Sequence, residues 1–244
     1  MNPQSIYIGC AGWNVGREHA PQFPAQGTHL QRYSAQFNCV EINSSFYRPH
    51  RHQTYVRWAE SVPAGFRFSV KIPKQITHEL RLANSEPLLE EFLGQCCGLG
   101  QKLGCLLVQL PPSLAFDEAV VEVFLTALRV QYSGPVVLEP RHPSWVEAGA
   151  LLMAYGVSQA AVDPSRISTD VSPMGTLDVQ YWRLHGSPRI YFSAYAPTCL
   201  NSLAHTLRAA AAKGVSVYCL FDNTASGAAL GNALELKTLL ASAD

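Results

Sequence analysis

The chain has 244 residues, of which 48% are hydrophobic and 15% charged, with a formal net charge of zero and a pI of about 7.1. A chain of this size can bury a core without a disulfide or metal staple, and the composition is too apolar for disorder. A neutral chain has no whole-molecule field with which to hold nucleic acid or an anionic membrane, so any bound anion must be held by local charges.

The first residues, Met1 to Ser5, lead straight into a strand-like run without the basic-then-apolar pattern of a signal peptide. No apolar stretch reaches the ~18 residues of a membrane span. The seven cysteines are Cys10, Cys39, Cys96, Cys97, Cys105, Cys199 and Cys219. The odd count and the absence of any Cys-x-x-Cys pair predict reduced thiols, no disulfide and a cytoplasmic location.

Eight β-type runs follow one another: Ile6–Gly9, Val40–Asn43, Phe66–Lys71, Cys105–Leu110, Val136–Glu139, Val157–Val162, Val179–His185 and Val215–Phe221. Helical periodicity fills most of the gaps. Leu88, Leu89, Phe92, Leu93, Cys96 and Leu99 share one face, as do Val120, Val121, Phe124, Leu125 and Leu128. Leu200, Leu203, Leu207 and Ala210 repeat the spacing, and Leu230, Leu234 and the Lys237–Leu240 stretch close the chain. Thr28-x-x-Gln31 and Ser144-x-x-Glu147 read as capping boxes. Gly65, Gly104, Gly134, Gly156 and Gly214 each stand just before an expected strand, where a left-handed helix end suits glycine.

This alternation predicts an α/β fold, a single (β/α)8 TIM-type barrel over residues 1–244, with its functional site at the C-terminal ends of the strands. An open doubly wound sheet is the alternative, disfavoured because no Gly-x-Gly-x-x-Gly follows the first strand. The long strand-to-helix connections Cys10–Gly27, Ser44–Arg51, Ile72–Ser85, Asp163–Asp178 and Gly186–Thr198 should all emerge on the rim that carries function.

Polar residues collect at the strand ends. Glu41 and Asn43 share a face by the period of two, and Tyr181, Arg183 and His185 oppose Gln180, Trp182 and Leu184. Lys71 ends the third run, with Lys74 and His78 after it. Gln109, Glu139, Arg141, Asp163, Asp222 and Asn223 mark later strand ends. Buried, coupled charges of this kind shift one another's pKa values and create acids and bases. Glu41 and Glu139, assisted by His185, are therefore the candidate acid/base residues, and Lys71 and Arg183 the charge stabilisers. The same four charges also suit a purely structural set of ion pairs filling the strand ends. Arg48, His50, Arg51, His52, Lys71, Lys74, His78 and Arg81, joined from later strands by Arg141 and Arg183, form a basic set suited to an anionic ligand or, equally, to a solvated surface. Trp13, Phe46, Tyr47 and Trp145 offer faces for stacking on a ring or packing under loops. A divalent metal on Glu41, Glu139, Asp163, His185 and Asp222 is a weaker reading, because that set contains no His-x-His pair and Lys71, Arg141 and Arg183 compete for the carboxylates. No metal or redox cofactor is expected.

The stretches Gly9-Cys10-Ala11-Gly12-Trp13, Val40 through Arg48, Phe66 through Lys71, Gln109 through Ser113, Arg141-His142-Pro143-Ser144-Trp145, Arg183-Leu184-His185-Gly186 and Phe221-Asp222-Asn223 resemble the YecE-like family, domain-of-unknown-function family 72. The resemblance covers nearly the whole chain. It implies a TIM-type barrel of the bacterial cytoplasm and carries no catalytic assignment. Three features depart from the family pattern: a short Asn14–Thr28 loop, Pro140 in place of an aromatic residue, and Asp222 in place of Asn.

The leading functional expectation is an enzyme using acid/base chemistry on a small polar or anionic metabolite; a hydrolase, lyase or isomerase would each fit. A small-molecule binding or sensor protein using the same pocket is the alternative. A nucleic-acid-processing protein is disfavoured by the neutral charge, and a two-carboxylate glycosidase would need Glu41 and Glu139 at a defined separation.

Overall fold

A computed structural model describes residues 6–167, 172–175 and 178–242. The expectations that fall on Met1–Ser5, and those parts of the Asp163–Asp178 connection at 168–171 and 176–177, lie outside the described residues. The strands are β1 (Ile6–Cys10), β2 (Cys39–Ile42), β3 (Arg67–Lys71), β4 (Leu103–Gln109), β5 (Val136–Glu139), β6 (Val157–Gln159), β7 (Ala161–Asp163), β8 (Met174–Gly175), β9 (Val179–Leu184) and β10 (Ser216–Phe221). The α-helices are α1 (His29–Ser34), α2 (His52–Glu60), α3 (Glu86–Cys96), α4 (Glu118–Gln131), α5 (Gly149–Ala154), α6 (Pro197–Ala212) and α7 (Ala228–Ala241). Among the described residues, no helix is long and apolar enough to cross a membrane.

The expected single closed barrel is not what the strands form. They make two sheets, one of four strands in the order β1-β10-β9-β7 and one of six in the order β2-β3-β4-β5-β6-β8. Every pairing is parallel except that of β6 with the short β8. The physical reason lies at two breaks. The run read as one strand from Val157 to Val162 is two strands separated by Ala160: β6 pairs with β5, whereas β7 pairs with β9. Between β1 and β2 the ladder shrinks to a single bridge, Ala11 to Glu41.

Side chains replace the missing ladder bonds at that second break. The Asn38 amide donates to Ile6 O and accepts from Ile8 N, both at 2.8 Å. The Tyr33 hydroxyl accepts from Cys10 N at 2.8 Å and donates to Cys39 O at 3.0 Å. Gly9 is needed there, because a Cβ would lie within 2.0 Å of the Cys39 carbonyl oxygen.

Strand alternation divides the core in two. Val40, Ile42, Trp182 and Leu184 face outward into a large cluster with the helices. Cys39, Cys105, Leu107, Val137, Tyr181, Tyr218 and Leu220 form a second, inner cluster. A hydrogen bond of 2.8 Å between Ser69 Oγ on β3 and the Tyr181 hydroxyl on β9 links the two sheets across this interior.

Local signals fare unevenly. The Thr28–Gln31 capping box forms in both directions. The Ser144–Glu147 box does not: His142 caps a short 3-10 turn over Pro143–Ala148, and Ser144 Oγ instead accepts from Phe116 N. Gly156 and Gly214 are left-handed as expected, but Gly65, Gly104 and Gly134 are not, and Gly104 lies within β4.

All seven thiols are unpaired; Cys97 and Cys199 are exposed and the other five buried. Burial pushes the Cys10, Cys96 and Cys105 thiols up to about 12. A disulfide-exchange reagent at pH 8 should therefore titrate Cys97 and Cys199 quickly and the other five only in denaturant. A third thiol reacting at the rate of these two in native protein would contradict the placement of the buried set.

Candidate functional site

The C-terminal ends of both sheets meet around one guanidinium. Arg183, on the inward face of β9, is 1% exposed. Its Nε donates to Glu41 Oε2 at 2.9 Å and its Nη2 to Glu41 Oε1 at 2.8 Å, the two-pronged geometry that guanidinium matches to carboxylate. Its Nη1 reaches Glu139 Oε2 at 3.2 Å, and its Nη2 lies 3.0 Å from Asp222 Oδ2. Glu41 comes from β2, Glu139 from the end of β5 and Asp222 from just beyond β10. One cation from the four-stranded sheet thus ties down two carboxylates of the six-stranded one.

The network continues outward. Arg141 donates from Nε and Nη2 to Glu139 Oε1 at 2.9 and 2.8 Å. The Tyr181 hydroxyl donates to Glu41 Oε2 at 3.0 Å. His185 Nδ1 lies 2.9 Å from Asp222 Oδ2, and its Nε2 lies 3.4 Å from Glu139 Oε1 and 3.3 Å from Arg183 Nη1. Beneath all this sits the apolar inner cluster, so the charges interact in a medium that screens them poorly.

Titration follows from these contacts. Burial works to raise the Glu139 carboxyl, but Arg183, His185 and Arg141 override it and hold the group well below the usual carboxylate range. Asp222 is likewise lowered, by Arg183 and His185 against burial. Burial opposes charge on His185, yet Glu139 and Asp222 raise its pKa.

Lys71 is different. It ends β3 with 5% of its surface exposed, and its ammonium makes no hydrogen bond or ion pair among the described residues. Its ammonium lies over the face of Phe46, 3.9 Å away. Ser45 seats that ring: its hydroxyl, buried between β2 and β3, reaches both Ile42 O and Lys71 O. Burial and then Arg183 bring the Lys71 amine down to about 8, against the pull of Glu41, Glu139 and Asp222. Beside it, burial followed by Lys71 and Arg141 brings His78 down to about 4. A small cleft, partly open to solvent, adjoins the network and is lined by His185, Arg141, Gln159, Ile190 and Tyr191 among others.

The other candidates lie apart or are already engaged. Lys74 pairs on the surface with Glu79 at 3.0 Å. Trp13 packs edge-on against Trp58 of α2, Trp145 is buried with its indole on Leu114 O, and Tyr47 is 68% exposed. The Gln109 side chain donates to Leu110 O at 2.6 Å. Asp163 enters through its backbone carbonyl, which accepts from His185 N and the Tyr195 hydroxyl. Asn223 holds Ser193 O and the α7 residue Asn232, and so ties down the loop after β9. Asn43, one position beyond the β2 ladder, has a buried Oδ1 without a partner. Tyr181 enters the site unannounced, although the period of two that selects Arg183 also selects it; Phe46, offered by the sequence only as a face for stacking or packing, lies over Lys71, a placement no sequence pattern sets. Among the described residues, no three His, Cys, Asp or Glu side chains gather as a metal cluster would require.

The sequence pattern of the family described as "Protein of unknown function DUF72" matches residues 7–244. The chain belongs to the DUF72 family. Among curated DUF72-like proteins it is 32% identical over 146 residues to UPF0759 protein YecE of Escherichia coli K12, covering 59% of this chain and 51% of that protein. It is 28% identical over 146 residues to UPF0759 protein YunF of Bacillus subtilis, covering 57% and 52%. The chain thus matches about half the length of these relatives. A crystal structure of a DUF72 family protein from Thermotoga maritima superposes with a TM-score of 0.80 at 27% identity, over 97% of this chain and 99% of that one. One from Enterococcus faecalis gives 0.81 at 20% identity, over 98% and 96%; at that identity the likeness speaks for the fold alone.

Proposed function

We propose that this DUF72 chain is an enzyme that performs proton-transfer chemistry on a small anionic metabolite bound at the strand ends. The observation that carries the reading is an unmatched charge. Glu41, Glu139 and Asp222 are all engaged by Arg183, with Arg141 and His185 sharing two of them. Lys71 is left without a carboxylate in a nearly dry position. An anion supplying that partner would gain a charge-assisted bond without displacing an existing pair.

Glu41, with both oxygens bound by Arg183, acts in this reading as the positioner of the guanidinium. His185 is the proton carrier. Its Nδ1–H stays on Asp222, while Nε2 has two uses: neutral, it accepts from Arg183 Nη1; protonated, it donates toward Glu139 Oε1. Two alternative hydrogen-bond partners for one ring nitrogen suit a group that must gain and lose a proton.

Binding and chemistry are tested separately. Sulfate and phosphate should raise the melting temperature of the wild type and leave Lys71→Met unmoved. In heavy water, a panel of small carboxylates and phosphate esters should include compounds whose C–H proton signals fade with wild type but not with His185→Gln. No anion response in the wild type and no exchange with any member of the panel would reject the reading.

A further inference from the structure

We infer that Lys71 is a nucleophile that forms an imine with the carbonyl carbon of a small oxo acid. The inference deepens the anionic-metabolite reading above and rests on it for the charge of the substrate.

The geometry singles out one amine. Among the other lysines, Lys74 is paired with Glu79, Lys102 donates to Ala59 O and Val62 O, Lys237 donates to Gln36, and Lys213 lies exposed. Only Lys71 is both buried and free of hydrogen-bonding partners among the described residues. A buried ammonium in that state has a desolvation cost that the Phe46 face and the carboxylates farther off only partly compensate. That cost vanishes when the nitrogen is neutral, which is the form that attacks a carbonyl. The groups around it are consistent: Arg183 disfavours a second cation, Phe46 offers an apolar face, and Asn43 Oδ1 is an acceptor without a donor at the end of the neighbouring strand. With its pKa near 8, about half of the Lys71 amines are neutral at pH 8.

The step balances without an added oxidant or reductant. The Nζ lone pair forms a bond to the carbonyl carbon, the C=O π pair moves to oxygen, and a proton passes from nitrogen to that oxygen, giving a carbinolamine. The hydroxyl then takes a second proton, assigned here to His185, and leaves as water. The nitrogen lone pair closes the C=N bond. The resulting iminium draws electrons from the adjacent carbon, so a proton there becomes easier to remove, which joins this step to the proton-transfer chemistry proposed above.

Pyruvate with cyanoborohydride at pH 8, followed by peptide mapping of the wild-type protein, tests the inference. At pH 8 the neutral fraction of Lys71 exceeds that of a lysine at pKa 10.5 roughly a hundredfold. Allowing for the weaker nucleophilicity of a less basic amine, labelling at Lys71 should run about tenfold faster than at Lys74 or Lys213. Sulfate should slow it, and Lys71→Arg should lose it while keeping its circular dichroism spectrum. Adducts spread over Lys74, Lys213 and Lys237 with Lys71 unmodified would overturn the inference. If sulfate still stabilises the wild type in that case, the anion site stands and only the imine chemistry fails. Labelling at Lys71 that sulfate neither slows nor accompanies with a melting shift would support the nucleophile and reject the anionic substrate.

Discussion

Arg183→Met is expected to leave the protein unfolded or to lower its stability by at least 3–5 kcal/mol, the rough cost of stranding the partner of one buried ion pair. Three carboxylates lose contacts at once, and they lose them unequally. Glu139 keeps Arg141 and His185, and Asp222 keeps His185. Among the described residues, Glu41 keeps only the Tyr181 hydroxyl. The cost therefore falls chiefly on Glu41, and the double variant Arg183→Met/Glu41→Gln should recover part of the loss by removing the stranded charge. Since total stability of a domain is only ~5–15 kcal/mol, urea unfolding followed by circular dichroism will resolve both effects. A single variant within about 1 kcal/mol of wild type, near what an exposed ion pair contributes, would show that the network does not hold the sheets together.

How the sheets meet is also where the sequence was least informative. The period of two correctly sends Arg183 and Tyr181 inward and Trp182 and Leu184 outward, because the helices demand an apolar outer face. It says nothing about lateral pairing. Val157 to Val162 reads as one strand because Ser158-Gln159-Ala160-Ala161 contains no Gly or Pro to mark the change of partner at Ala160. The break beside β1 leaves a trace in Gly9, but its meaning depends on Cys39 O, some thirty residues away. The site divides along the same line. Residues placed by strand ends (Glu41, Lys71, Glu139, Arg183, His185 and Asp222) come together because sheet geometry brings strand ends together. Residues on connections are placed by loop packing: Trp13 goes to α2, Tyr47 to the surface and Asn223 to α7, and no local pattern encodes those destinations.

Lys71→Met is expected to stabilise the protein at pH 7, an unusual sign for removing a buried charge. Had Lys71 been the partner of a carboxylate, the same change would cost about 3–5 kcal/mol. Its pKa in the fold is about 8, below the 10.5 ordinary for a lysine. At ~1.4 kcal/mol per pH unit, the folded state therefore bears a penalty of roughly 3 kcal/mol for the protonated amine. The sign of the pH dependence follows. The penalty is complete below pH 8, shrinks as the folded protein releases the proton first, and is gone above 10.5, where the unfolded chain is neutral as well. Loss of the contact with Phe46 offsets about 1–2 kcal/mol. Lys71→Met should thus gain about 1–2 kcal/mol at pH 7, and the gain should disappear or reverse by pH 10.5. Tyr and Cys side chains that burial holds neutral in the fold titrate in this alkaline range once the chain unfolds, so the quantity to follow is the difference between wild type and variant in urea midpoints across pH 7–10.5, in which those shared contributions cancel. A variant destabilised by several kcal/mol at pH 7 would mean that a carboxylate holds this ammonium. A stabilised one would mean that the fold tolerates an unfavourable cation at its strand ends, as a group retained for a ligand rather than for stability would require.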